Sequence, residues 1–123
     1  MKRNDHSEFA APFDPVLGCG NDIRCQYFRP DAARVENAIE FAARWSSLHH
    51  APVYCREFGV LRDYAPPAMR AQWLHDTRVA LEKNHLGWAM WDYQTNFGVV
   101  SKTNGVTTPD VDVLNALGLH APQ

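Results

Sequence analysis

The stretch that decides the fold is PVYCREFGV, from Pro52 to Val60. Its β-branched and aromatic residues, bounded by Pro52 and Gly59, predict a short buried strand. A carboxylate, Glu57, stands at the end of this strand, where an apolar core has no use for one. A second stretch of the same kind, LGWAMWDY, begins at Leu86 and predicts a second strand. The fold must therefore explain why a strand built for a core ends on an acid.

Helices are predicted on both sides of the first strand. Asp31 is a good N-cap, and apolar residues recur at helical spacing after it, so a helix is predicted over roughly residues 32–48. A second helix is predicted from Pro66-Pro67 to near Asn84, because proline suits the first turn of a helix. It carries a predicted apolar stripe of Met69, Trp73, Thr77 and Ala80 or Leu81.

The region after the second strand is predicted to be a loop followed by a short helix. Residues 94–110 contain an Asn-Gly turn signal and no sustained period, so a long loop is predicted there. Thr108 can cap a last helix that has Pro109 at its first position and Gly118 just past its end. Helices that alternate with nearly unbroken apolar strands predict an α/β fold with a parallel sheet. Two strands are fewer than a sheet usually has, so the pattern is that of part of a larger fold.

Composition excludes several classes of function. Hydrophobic residues make up 46% of the 123 residues, charged residues 21%, and the formal net charge is −2. This balance argues against a nucleic-acid or anionic-membrane binder, which needs a basic surface. No CxxC motif occurs, and the adjacent His49 and His50 point apart, so neither a metal site nor a cofactor is predicted. Cys19 and Cys25 suit a bridge in an oxidising compartment, although three unevenly spaced cysteines are no disulfide framework.

The two ends of the chain are predicted to be irregular. Residues 1–29 hold four separate breakers, which are Pro12, Pro15, Gly18 and Gly20. The basic N-terminus is not followed by an apolar segment, so it does not predict a secretory signal peptide, and the localisation stays unknown. Residues 120–123 are predicted to be a short tail.

The strand ends carry the candidate chemistry. Alternation predicts that Val53, Cys55 and Glu57 share one face of the first strand, and Tyr54, Arg56 and Phe58 the other. Ligands of parallel α/β folds meet the carboxyl ends of the strands, where Glu57 and Trp91 lie. An aromatic face stacks on the C–H face of a sugar, and a carboxylate attacks or stabilises its anomeric carbon. The alternative is that Glu57 is a solvated residue or an ion-pair partner of Arg56 or Arg62.

From about Val35 to Leu119 the chain resembles the C-terminal part of glycoside hydrolase family 5, the cellulase-like (β/α)8 barrels. PVYCREFGV looks like the seventh barrel strand, and GWAMWDYQTNFGVV looks like the eighth, with a helix between them. The resemblance implies that residues 30–119 are the last two barrel strands with their flanking helices. It also implies a retaining endo-β-1,4-glucanase-like hydrolase that needs no metal, with Glu57 as nucleophile and Trp91 lining the substrate cleft.

Two departures from this family pattern matter. Many members have glycine before the nucleophile, where this chain has Arg56, and we expect the Arg56 side chain to point towards the helix layer. The family's acid/base glutamate follows an asparagine, and no Asn-Glu pair occurs in this chain. Retaining hydrolysis needs two carboxyl groups ~5 Å apart, and Asp63 and Asp92 are the only acids predicted nearby.

Three interpretations stay open at this point. The chain is a fragment of a longer reading frame, assembles with a complementing chain, or folds alone as a non-catalytic unit that binds a carbohydrate or a protein partner. A barrel of this kind needs about 250 residues, so the barrel-facing side of the two strands would lack its packing partners. We therefore expect a carbohydrate (β-glucan-like) as ligand, no nucleic acid or membrane partner, and a tendency to self-associate.

Overall fold

The computed structural model describes residues 31–120, which form an α/β unit of three α-helices and two small sheets. In chain order the elements are α1 (Ala32–His49), β1 (Tyr54–Phe58), a 3₁₀ turn (Arg62–Tyr64), α2 (Pro67–Lys83), β2 (Gly87–Met90), β3 (Val100–Thr103), β4 (Val106–Pro109) and α3 (Val111–Ala116). The two long helices and the first two strands therefore lie where the sequence predicts them. The predicted arm over residues 1–29, the Cys19–Cys25 bridge and all but the first residue of the tail lie outside the described residues.

Helix α1 is capped at both ends but is packed on one side only. The Asp31 carboxylate accepts a hydrogen bond from the Arg34 N–H at 3.1 Å, and His50 ends the helix in the left-handed conformation. Ile39, Ala42 and Ala43 pack against the core, but no residue of α1 is fully buried. Three large apolar side chains of this helix stay exposed, and they are Phe41, Trp45 and Leu48. The apolar spacing of this helix predicts a core position for Trp45, which is wrong, because Trp45 is exposed and its ring stacks on His49.

Helix α2 is the centre of the unit. It packs on α1, on α3 and on β2, and Leu74 at its middle is completely buried. Proline at its first position lacks an N–H that the first turn could not use, which is why the helix begins at Pro67. The buried residues of α2 are Met69, Arg70, Leu74, Thr77, Ala80 and Leu81. The buried face of α2 is thus rotated slightly from the predicted stripe, with Leu74 buried in place of Trp73. It also includes the charged Arg70, which the apolar spacing did not predict.

Strands β1 and β2 pair in parallel, with a bulge in β1. Tyr54 pairs with Gly87, Cys55 with Trp88 and Phe58 with Met90. Between the last two pairs β1 has two residues and β2 has one, Ala89. Such an insertion breaks the simple alternation of faces. Cys55 and Phe58 therefore both face the helices, together with Val53, Trp88 and Met90.

The bulge corrects two predictions about the faces. Val53 and Cys55 pack against the helix-side core and do not line the opposite face. Tyr54, predicted to pack on the helices, is exposed and lies over Gly87 on the opposite face. The prediction for Phe58 is confirmed, because Phe58 packs on the helix side, where Trp88 and Met90 of β2 also pack.

The region after β2 is more regular than predicted. β3 and β4 form an antiparallel hairpin around Asn104 and Gly105, both of which adopt positive φ, so the predicted long loop is wrong over these residues. Pro109 ends β4 and does not begin a helix. The cap of α3 is Asp110, whose carboxylate accepts from the Val113 N–H at 3.3 Å, and not Thr108. Gly118 does follow the end of the helix, in the left-handed conformation.

Two features are absent from residues 31–120. No helix there combines the length and apolar character that a membrane crossing requires. No group of three His, Cys, Asp or Glu side chains in that part of the chain is placed to hold a metal ion.

Candidate active site

The bulge of β1 determines where Glu57 lies. Arg56 and Glu57 are the two residues that face the single Ala89 of β2, and both side chains reach solvent, with exposed fractions of 85% and 49%. Bulges re-aim side chains in this way, often beside functional sites. Glu57 therefore lies at the carboxyl end of β1 with its carboxylate open to approach from outside.

Arg56 is the charged neighbour of this carboxylate. Its Nη2 lies 3.3 Å from Oε1 of Glu57. The expectation that Arg56 points into the helix layer is wrong, because the bulge places it on the solvent side. An ion pair this exposed contributes only about 0–1 kcal/mol to stability. The main effect of Arg56 is therefore to place a positive charge beside the Glu57 carboxylate.

Trp91 follows β2 and is joined to the end of β1 through the backbone. Its N–H donates to the carbonyl oxygen of Phe58 at 2.8 Å, and the peptide bond from Trp91 to Asp92 is cis. Met90 packs on the core, whereas the Trp91 side chain is 49% exposed. The two predicted site residues thus lie at the same end of the sheet, on adjacent strands.

Gly59 is the residue that allows these two strand exits to approach each other. A Cβ at this position would lie 2.3 Å from the carbonyl oxygen of Trp91 and 3.0 Å from the Phe97 ring. No side chain can occupy that space without moving the backbone of one strand exit. The glycine after Glu57 is thus required by the packing of Trp91.

The two acids nearest in sequence to these strand exits are held by loop contacts. Asp63 accepts a hydrogen bond from the Asn96 side-chain amide at 2.5 Å, which links the loop after β1 to the loop after β2. Asp92 accepts from the Thr95 N–H at 3.2 Å and closes a turn. Both carboxylates therefore have structural roles in the described loops.

Exposed aromatic side chains lie in the loops that follow the two strands. Tyr64 in the turn after β1 and Tyr93 in the loop after β2 are 71% and 63% exposed. Aromatic faces at the mouth of an α/β sheet are suited to stack on the C–H faces of sugar rings. The loop after each strand thus carries an exposed aromatic ring.

A buried ionic cluster lies behind the two loops and was not found from the sequence. Arg70, on α2, is 2% exposed, and its Nη1 lies 3.0 Å from Oδ2 of Asp110. Arg62 contacts the same oxygen at 3.2 Å. Burial lowers the pKa of the Arg70 guanidinium, with a further lowering by Arg62, while Asp110 acts in the opposite direction. The available signal was an arginine at a buried position of the helical stripe, four residues before Leu74.

Several solved structures, among them the endoglucanase Cel5A, are similar to this chain. It matches the cellulose synthase subunit Z (CcsZ) of Clostridioides difficile with 27% identity and a TM-score of 0.62, over 70% of this chain and 28% of that one. It matches Cel5A of Thermotoga maritima in complex with cellobiose with 29% identity and a TM-score of 0.64, over 71% of this chain and 27% of that one. The same values hold for Cel5A in complex with mannotriose.

These matches define what the chain shares with known proteins. It spans little more than a quarter of the length of each of these structures. No protein-family model matches it, and no curated protein does. The similarity in structure, at 27–29% identity, supports a relationship to glycosidases of the endoglucanase type.

Proposed function

We propose that this chain carries the nucleophile-bearing part of a retaining β-glycosidase site of the glycoside hydrolase family 5 kind. Glu57 is the nucleophile and Trp91 is the sugar platform. The observation that carries the proposal is the joining of their two strand exits, where the Trp91 N–H donates to the carbonyl of the residue after Glu57. The similarity to cellulase structures supports the same assignment.

The chemistry assigned to Glu57 is displacement at an anomeric carbon. One carboxylate oxygen forms a bond to C1 of the sugar while the bond from C1 to the leaving oxygen breaks and its electron pair leaves with that oxygen. Water then attacks C1 and gives its proton to a second carboxyl group, while the bond from C1 to the Glu57 oxygen breaks and releases the carboxylate. Half-exposed and placed at the strand exit, Glu57 is accessible to a sugar held against Trp91.

The proton for an ordinary leaving group must come from a second carboxyl group ~5 Å away. Asp63 and Asp92 already hold loop contacts, and the Asn-Glu pair of the family is missing from the sequence. We assign the acid/base group to the other barrel strands, supplied by a longer form of this polypeptide or by a complementing chain. The exposed apolar residues of α1 and of the open face of the sheet favour this assembly over a free monomer.

The substrate class we assign is a β-linked glucan or a related polysaccharide. The similar Cel5A structures hold cellobiose and mannotriose. The exposed rings of Trp91, Tyr64 and Tyr93 suit a chain of several sugars better than a single one, because each plate covers one ring.

A trapping reagent tests the nucleophile without the missing acid. A 2-fluoro cellobioside with a dinitrophenolate leaving group needs no proton donor, because the phenolate is stable as an anion. The fluorine slows hydrolysis of the covalent intermediate, so the label remains on the carboxylate. We expect mass spectrometry to find one fluorocellobiosyl group on the peptide that contains Glu57, and none in Glu57→Gln.

Asp63→Asn is the matched control for this experiment, since it removes an exposed carboxylate in the next loop. It should be labelled as fast as the unchanged chain. Labelling of any residue other than Glu57, or none in a chain that binds cello-oligosaccharides, would overturn the assignment of the nucleophile.

A non-catalytic carbohydrate-binding role is the second candidate. The observation that favours it is the Arg56 guanidinium beside Oε1 of Glu57, which occupies the carboxylate that has to attack. Oligosaccharide binding that depends on Trp91 but gives no covalent label would select this role.

A further inference from the structure

We infer that Arg70 is a positioning residue for this site: it binds the segments that follow Glu57 and Trp91 from behind and fixes one strand exit against the other. The inference takes the roles of Glu57 and Trp91 from the proposed function. Its structural part, the coupling of the two strand exits through one buried guanidinium, holds independently of those roles.

The contacts of Arg70 join three separate segments. Its Nε donates to the carbonyl oxygen of Val60 at 3.0 Å, three residues after Glu57. Its Nη2 donates to the carbonyl oxygens of Phe97 and Gly98 at 2.6 and 2.9 Å, in the loop that Trp91 begins. Arg70 therefore binds both strand exits at the same time, from a position on α2 that solvent does not reach.

Asp110 holds the guanidinium in this orientation. Its Oδ2 lies 3.0 Å from Nη1 of Arg70, while its Oδ1 caps α3 through the Val113 N–H. The Asp110 N–H also donates to the carbonyl of Val99 at 2.8 Å. Arg62 adds a second guanidinium to the same two acceptors, Asp110 and the carbonyl of Gly98.

The loop transmits the position of Gly98 to Trp91 because it is closed by its own backbone. The Gly98 N–H donates to Thr95, Val99 to Asp92 and Val100 to Tyr93. On the other side, the backbone of Gly59 touches the carbonyl of Trp91. A shift of the Phe97–Gly98 carbonyls must therefore move Trp91 relative to Glu57.

Only arginine fits these acceptors. A guanidinium presents five N–H donors in a fixed plane, and here that plane reaches three carbonyls and one carboxylate. A lysine ammonium has three donors on one atom and cannot bind the acceptors on both sides of the fork. Arg70→Lys keeps the charge and removes the fork, which makes it the test variant.

Arg78 supplies a matched control on the same helix. It donates from Nε to the carbonyl of Ala116 at 3.0 Å and forms an ion pair with Glu82, and within residues 31–120 these contacts lie away from both strand exits. Arg78→Lys therefore makes the same chemical change and spares the site. A comparison of the two variants separates positioning from a general effect of weakening α2.

Native-state amide exchange is the first measurement. In Arg70→Lys we expect the Trp91 amide to exchange at least tenfold faster relative to the Leu86 amide, which donates to Leu81 in the core. Arg78→Lys should leave that ratio within twofold of the unchanged chain. If the exchange rates of both amides rise equally in Arg70→Lys, Arg70 contributes only to global stability, and the inference is overturned.

Trapping with the fluoro cellobioside is the second measurement. Arg70→Lys should lower the rate of labelling at saturating reagent at least tenfold, with a smaller change in the concentration for half-maximal rate, and Arg78→Lys should match the unchanged chain. If the unchanged chain is not labelled at all, the proposed function fails, while the exchange ratio still decides the role of Arg70.

Asp110→Asn covers the case in which Arg70→Lys does not fold. Asparagine keeps the helix cap and one acceptor but removes the countercharge. We expect the ratio of Trp91 to Leu86 exchange to rise at least threefold, and an unchanged ratio would overturn the inference.

Discussion

The two faces of the β1–β2 sheet are built from the same nine residues but have opposite surroundings. On the helix face Cys55, Phe58, Trp88 and Met90 pack against a core centred on α2. On the opposite face Tyr54, Glu57 and the adjoining Trp91 are about half-exposed or more. The helix face therefore supplies the stability of the unit, and the open face supplies its candidate chemistry.

The difference shows what this unit can do without a partner. The face that packs on the helices contributes the buried apolar area that stabilises the fold. The open face, with exposed rings and a carboxylate, is suited to bind a ligand or another part of a larger fold. In the similar cellulase structures this chain accounts for little more than a quarter of the length. The contrast between the faces predicts that changes on one affect stability and changes on the other affect binding.

Leu74→Ala should have the largest effect on stability, because Leu74 is completely buried behind the sheet. Removing a side chain of this size from a core costs about 2–5 kcal/mol. Tyr54→Ala, on the open face, should cost less than about 1 kcal/mol in free energy of unfolding, as surface changes do. Urea denaturation of both variants measures the difference. Equal losses of unfolding free energy in the two variants would contradict the assignment of stability to the helix face.

Gly59→Ala should disrupt the contact between the exits of β1 and β2, which adjoin both faces of the sheet. The added methyl group meets the Trp91 carbonyl oxygen at 2.3 Å, a backbone atom that cannot turn away. Overpacking of this kind costs about 1–3 kcal/mol, and trapping at Glu57 should be lost as well. Gly87→Ala is the control, because its added methyl group meets the Tyr54 ring, which is exposed and can rotate. A stable Gly59→Ala chain with normal labelling would contradict the proposed site.

Trp91→Ala should leave stability nearly unchanged and weaken carbohydrate binding. Loss of the stacking surface should raise the dissociation constant for a cello-oligosaccharide about tenfold, or ~1.4 kcal/mol, measured by calorimetry. Trp45→Ala is a close control, since Trp45 on α1 is 48% exposed and Trp91 is 49% exposed. If both variants bind the oligosaccharide equally weakly, exposed tryptophans anywhere on the surface contribute to binding, and Trp91 has no special role.

Arg56→Gly should have a small effect on folding and should sharpen the comparison at the open face. The Arg56–Glu57 pair is highly exposed, so its loss should change the free energy of unfolding by less than about 1 kcal/mol. Removal of the guanidinium frees Oε1 of Glu57, and labelling should become severalfold faster. Arg56→Gln, which keeps most of the side chain without its charge, separates the effect of charge from that of bulk. Slower labelling in both variants would assign Arg56 to sugar binding.

The helices and the order of the strands could be predicted because their signals are local. Asp31 as a cap and Pro67 at the first turn both fix helix ends through a few neighbouring atoms. The positions of Glu57 and Trp91 at one end of a parallel pair follow from the same local patterns. Whether they act as nucleophile and platform stays a prediction until the trapping experiment is done.

The features that were missed depend on contacts between distant residues. The bulge in β1 arises from its pairing with β2, and nothing in PVYCREFGV distinguishes it from a regular strand. The hairpin of β3 and β4 was missed because its strands have four residues each, too short for a period to emerge beside the Asn-Gly turn. Arg70 was missed because three of its four acceptors are backbone carbonyls, which carry no side-chain signature, and the fourth, Asp110, lies 40 residues away.

The separation of these acceptors along the chain has a kinetic consequence. The partners of Arg70 lie 10, 27, 28 and 40 residues away in sequence. Closing a loop of 27 to 40 residues costs chain entropy, so we expect the contacts of Arg70 with Phe97, Gly98 and Asp110 to form late in folding. Interactions absent from the folding transition state mainly slow unfolding. We therefore expect the ionic cluster behind the strand exits to stabilise the folded unit mainly by slowing its unfolding, with little effect on its folding rate.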